Sequence, residues 1–196
     1  MDRRSYLGAL ASAGAIATAG CSGLGGSETL TEPSVHTDSP SRRSVHFSSG
    51  GEEIGSFGAD GSVSNGLIHL DTELWHRTGT TVQSIRLTVW MPSETNAGRE
   101  TVALAAPVQG DSSPPPEITL SVDRQHSGAV VEITDLDDLR DETISTITLL
   151  VDPRSNPSTT VAIDAEIEIA ESGLAGTDYT LDGRLDLDVP DLNGER

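Results

Sequence analysis

His69, Asp71 and Glu73 alternate along one short segment, so in an extended chain their side chains leave the same face. One imidazole and two carboxylates are donors that a metal-dependent hydrolase uses. The set stays thin: His76 is out of phase with it, and His36, His46 and His126 are scattered along the sequence. Nucleophilic catalysis has less to draw on. No Gly-x-Ser-x-Gly elbow is present, and the sole cysteine, Cys21, sits near the N-terminus. Trp75 continues the His69–Glu73 segment, and Trp90 follows Arg86 at the same phase. If Thr78-Gly79 forms a two-residue hairpin turn, Asp71 faces Arg86 and both tryptophans lie on the outer side of the hairpin. That strip of Trp75, Asp71, Arg86 and Trp90 is the candidate binding surface. Its aromatic rings would stack on a sugar or centre a protein contact. Alternatively, a neighbouring segment covers the rings, or a bulge turns one inward.

The elements that must position these residues are strands. Ile68, Leu70 and Leu74 alternate with polar residues, as do Ile85, Leu87, Val89 and Met91. The same period of two recurs at Ile118–Val122, Ala129–Ile133, Ile147–Val151, Val161–Ile169 and Tyr179–Val189. Shorter candidates lie at Val45–Phe47, Glu53–Phe57 and Thr101–Ala106, and Gly, Pro and Asn punctuate the intervals. Roughly seven to nine short strands predict an all-β chain, an antiparallel β-sandwich of immunoglobulin-like architecture over residues 45–190. Aromatic residues make up only 3% of the chain, so its core must be aliphatic. Asp135–Glu142 is the one stretch that reads as a turn of helix. Residues 21–44, rich in Ser, Gly, Thr and Pro, read as a flexible tether with a reach of roughly 25–30 Å. Residues 191–196 read as a tail.

The N-terminus supplies an address. Arg3-Arg4-Ser5-Tyr6-Leu7 resembles the twin-arginine signal that exports folded proteins. Leu7–Ala19 is apolar but short of the about 20 residues that a membrane-crossing helix needs. Thr18-Ala19-Gly20-Cys21 resembles a lipobox. The resemblance implies that residues 1–20 are a signal peptide, that cleavage precedes Cys21, and that its sulfur then carries a lipid. A plain signal peptide cut near Ala19, or an uncleaved anchor, are the other ways to read this segment. One short acyl chain binds a membrane only marginally, so durable anchoring calls for two chains.

Charge narrows the setting and the partners. Thirty-one acidic residues face twelve basic ones, for a net charge of −19, and every basic residue is arginine. This composition resembles that of exported proteins from extreme halophiles, the haloarchaea. Self-repulsion of that size opposes compactness in dilute buffer, whereas molar salt shortens the screening length to about 3 Å. Acidic runs such as Asp135-Leu-Asp137-Asp138 and Asp182–Asp188 therefore read as solvated faces, and none has the spacing of a calcium loop. Nucleic acid is excluded by the repulsion of its phosphates.

These readings converge on a lipid-anchored protein at the extracellular face of the cell membrane. It would act as a non-enzymatic interaction or ligand-binding module that needs no cofactor or metal. Its partners would be the membrane, through Cys21, and a surface protein or glycan. An exported metal-dependent enzyme using His69, Asp71 and Glu73, or an accessory solute-binding lipoprotein of a transporter, are the alternatives.

Overall fold

The structure, a computed structural model, describes residues 26–92, 100–109, 117–123, 128–134, 136, 145–154, 156–173 and 176–190. Arg3, Arg4, Cys21, the 191–196 tail and all of Asp135–Glu142 except Leu136 lie outside them.

The twelve strands of the described residues are β1 Gly26–Leu30, β2 Ser34–Ser39, β3 Arg42–Ser49, β4 Glu52–Ser64, β5 Leu67–His76, β6 Thr80–Trp90, β7 Thr101–Gln109, β8 Glu117–Val122, β9 Ala129–Thr134, β10 Ser145–Asp152, β11 Thr160–Glu171 and β12 Thr177–Asp188. They form two six-stranded sheets, β1-β12-β11-β6-β9-β8 and β2-β3-β4-β5-β10-β7. All pairings are antiparallel except β1 with β12, where Gly26 to Leu30 run parallel to Thr177 to Leu181. The inner faces interleave into one aliphatic core. Val45, Ile68, Leu70 and Leu149 of the second sheet and Leu87, Ile163, Ile167 and Leu181 of the first have no exposed surface. Both phenylalanines, Phe47 and Phe57, join this core. The β-sandwich expected from the period-two pattern is the fold observed.

Two expectations are corrected. The stretch read as a tether is partly sheet, because β1, β2 and the first residues of β3 fall within 21–44. Both strands sit at sheet edges with nearly every side chain in water, so they need no alternating apolar residues to betray them. Thr29, Val35 and Thr37 supply the β-branched side chains that suit an extended chain.

The second correction concerns the β5–β6 hairpin. Residues 77–79 carry the chain from one sheet to the other, and β5 pairs with β4 and β10 while β6 pairs with β11 and β9. The crossing is fixed by Arg77 N–H donating to Ile54 O at 3.0 Å and Ser172 N–H donating to Gly79 O at 2.8 Å. Each strand has one apolar face. Crossing lets the two faces bury against opposite sides of one core, which a flat hairpin would leave on the same side. Asp71 and Arg86 consequently lie on different sheets and do not meet.

Candidate functional site

β4 is the element around which the outer face of the second sheet is shaped. Its inward residues include Phe57 and Ala59, while Ser56, Gly58 and Asp60 point outward. Register sets three rungs across β3, β4 and β5: Arg42–Asp60–Asp71, Ser44–Gly58–Glu73 and His46–Ser56–Trp75. The small residues on β4 make a floor between larger side chains on both flanks. The result is a groove of about 310 Å³ that also reaches Asp38 at its charged end.

Each flank has its own electrostatics. Arg42 Nε lies 3.6 Å from Asp38, and its Nη1 lies 3.8 Å from Asp60. On the opposite flank, Asp71 accepts a hydrogen bond of 2.7 Å from Thr148 Oγ1 on β10. At the other end, His46 Nδ1 donates to the Glu53 carboxylate at 2.7 Å, so in the neutral ring Nε2 accepts from Ser44 Oγ at 2.9 Å. The His36 ring stands edge-on to that of His46, with centroids 6.5 Å apart. Trp75, half-buried, closes this end. Among the described residues, the Glu73 carboxylate, the Ser56 hydroxyl and the Trp75 indole N–H make no hydrogen bond.

The four residues expected to form one surface are thus divided. Trp75 and Asp71 belong to the groove, whereas Trp90 and Arg86 lie on the outer face of the first sheet, across the full thickness of the sandwich. Trp90 is only 5% exposed, and Arg184 of β12 lies over it, with Cζ 4.8 Å from the ring centroid. Asp186 fixes that guanidinium with hydrogen bonds of 2.9 and 3.1 Å. This bonding holds Arg184 above its ordinary pKa, and the negative charges of Asp186 and Asp164 add to it against the opposing effect of burial. Arg86 pairs with Glu132 of β9 and lies opposite Glu166 of β11. His69, Asp71 and Glu73 do share one face of β5, but no group of three or more His, Cys, Asp or Glu among the described residues is arranged to hold a metal ion.

Sequence reasoning missed the β3 and β4 contributions to the groove. The available signal was the outward series Ser56, Gly58 and Asp60, flanked by two strands with larger outward side chains.

Comparison with known proteins bears on the family and the fold. A family model described as a domain of unknown function, DUF8121, matches residues 27–191. No curated protein matches the sequence. Among solved structures, the chain is similar to an uncharacterized protein from Nocardia farcinica with an immunoglobulin-like fold, at TM-score 0.38 and 17% identity over 67% of this chain and 96% of that one. It is also similar to the collagen-binding domain of a Staphylococcus aureus adhesin, at TM-score 0.34 and 10% identity over 64% and 95% of the respective chains. A structure of Streptococcus parasanguinis Fap1 fimbriae gives TM-score 0.38 and 10% identity over 75% and 90%. Scores this low carry no argument about function, and the fold rests on the strand pairing itself.

Proposed function

The chain belongs to the DUF8121 family, and we propose that it is a lipid-anchored, non-enzymatic module at the extracellular face of the membrane, holding its ligand in the groove along β4. The observation that carries the binding reading is that groove. It brings an aromatic ring, a floor without bulk and three unused polar groups to one place. The address is supported by Arg3-Arg4 and the segment ending at Cys21, and the charge of −19 suits a salt-rich exterior.

Anchoring at Cys21 would hold the domain close to the membrane. Five residue steps separate Cys21 from the first strand, a span of at most about 18 Å. β1 starts beside Thr177, and its end of the sandwich also carries the 49–52 and 77–80 turns. Ser49 Oγ ties that end together by donating to Glu28 at 2.7 Å. The Trp75 end of the groove would then face the membrane, and the Arg42–Asp60–Asp71 end would point away.

Fractionation at molar salt tests the anchor, and add-back to cells tests the groove. The native chain is expected in membranes and the Cys21→Ser chain in the medium. That released chain should bind to cells, and the same chain carrying Gly58→Phe should not. A Cβ added at Gly58 would meet only ordinary contacts, the nearest being Ser44 Cβ at 3.5 Å, so a side chain can start into the groove there without straining the sheet. Equal binding by both chains would refute the groove, and a membrane-bound Cys21→Ser chain would refute the anchor.

A further inference from the structure

We infer that the groove along β4 takes a neutral pyranose-based glycan, a proposal that rests on the groove being the binding site. β4 is hydrogen-bonded on both sides, to β3 and to β5, so it offers no free backbone edge to which an extended peptide could add. Recognition has to come from side chains. The unused groups are the Trp75 indole N–H, a donor; the Glu73 carboxylate, an acceptor; and the Ser56 hydroxyl, which is both. A sugar hydroxyl also donates and accepts, so vicinal hydroxyls can satisfy such a set. The indole face can stack on the C–H face of a sugar ring. A volume of about 310 Å³ is room for about ten waters at about 30 Å³ each, a scale suited to one or two sugar rings.

Charge excludes the acidic sugars. Asp38, Asp60, Asp71 and Glu73 line the groove against Arg42 and Arg43; Arg42 is already engaged by Asp38 and Asp60, and Arg43 is in phase with the buried Val45 and Phe47 rather than with the outward series. A uronate or sulfated chain would meet uncompensated carboxylates. A cationic peptide would find only Glu73 wholly unpaired, beside a ring. Its ammonium or guanidinium, being a donor only, could pair with Glu73 but could not accept from the Trp75 N–H beside it.

The test uses the Cys21→Ser chain in molar salt, titrated calorimetrically with neutral gluco-, manno- and galacto-oligosaccharides, a uronate-containing oligosaccharide and an arginine-rich peptide. One or more neutral sugars should bind and the uronate chain should not. Trp75→Ala and Glu73→Gln should each weaken binding by about tenfold or more, while Trp75→Phe, which keeps a stacking ring, loses less. Trp90→Phe, on the far sheet, should leave affinity unchanged. Preference for the arginine-rich peptide, or sugar affinity indifferent to Trp75 and Glu73, would overturn the proposal. If no sugar binds while Gly58→Phe still abolishes attachment to cells, the glycan is wrong and the groove survives. If attachment is also unaffected, both fail.

Discussion

Gly183 lies on the inner face of β12, where the tip of the Phe47 ring from the opposite sheet takes the place of a side chain. A Cβ built there would stand 2.7 Å from Phe47 Cζ and 3.4 Å from Pro33 Cγ. Carbon atoms pack best at about 3.5–4.0 Å, so Gly183→Ala puts a methyl group about 1 Å too close to the ring. Phe47 is 1% exposed and has little room to retreat. Overpacking of this kind costs about 1–3 kcal/mol, offset by about 0.5–1 kcal/mol because alanine loses less backbone entropy than glycine in a strand. The net destabilisation expected is centred at about 1 kcal/mol and reaches at most about 2.5 kcal/mol. Phe47→Leu alone should also destabilise, by leaving a cavity. Combined, the two changes should relieve each other, so that the double variant is more stable than the sum of the singles predicts by about 1 kcal/mol. Urea unfolding at fixed molar salt measures this, with the denaturant slope checked for constancy. Additivity within about 0.3–0.5 kcal/mol would refute the close approach of the sheets at this point.

Two further outcomes follow from the charged surface. Arg184→Lys keeps the charge but loses the planar group that covers Trp90 and the paired bonds to Asp186, and should cost about 0.5–1 kcal/mol with a red shift of Trp90 emission in a Trp75→Phe background. An unshifted spectrum would mean that Arg184 does not shield the ring. Stability should also rise steeply between dilute buffer and molar salt, because the charge of −19 is screened over about 10 Å at 0.1 M but about 3 Å at 1 M. A urea midpoint independent of salt would remove self-repulsion as a significant force in this chain.

The sandwich was legible because its central strands alternate strictly. Ile163, Ala165, Ile167 and Ile169 of β11 announce a buried face residue by residue. β4 was legible only over part of its length. Gly55, Gly58 and Gly61 break its apolar rhythm, and close approach accounts for two of them: an added Cβ would come within 2.9 Å of Leu181 at Gly55 and 3.2 Å of Val189 at Gly61. Strand partners were harder still, because period two states which face is buried and says nothing about which sheet the next strand joins. Asp71 and Arg86 were therefore matched across a turn that in fact changes sheets. The groove needs three strands in register, and its β3 and β5 flanks are separated in sequence by β4, so no local pattern could assemble it.

The two outer faces divide the roles of the tryptophans. On the first sheet, long side chains meet one another: Arg184 covers Trp90, Arg86 reaches Glu132, and Ser84 Oγ donates to Glu168 at 2.8 Å. Those long side chains spend their polar groups on one another. On the second sheet, β4 presents serine and glycine where its neighbours present glutamate, tryptophan and histidine, so side chains on the flanks stand two strands apart, about 10 Å. Glu73 and Ser44 sit on opposite banks of one rung and cannot close over Gly58 as Arg184 closes over Trp90. A ring with a partner on its own sheet becomes part of the scaffold. The ring that borders a gap keeps its N–H for something from outside, which is why Trp75, and not Trp90, is the residue on which binding should depend.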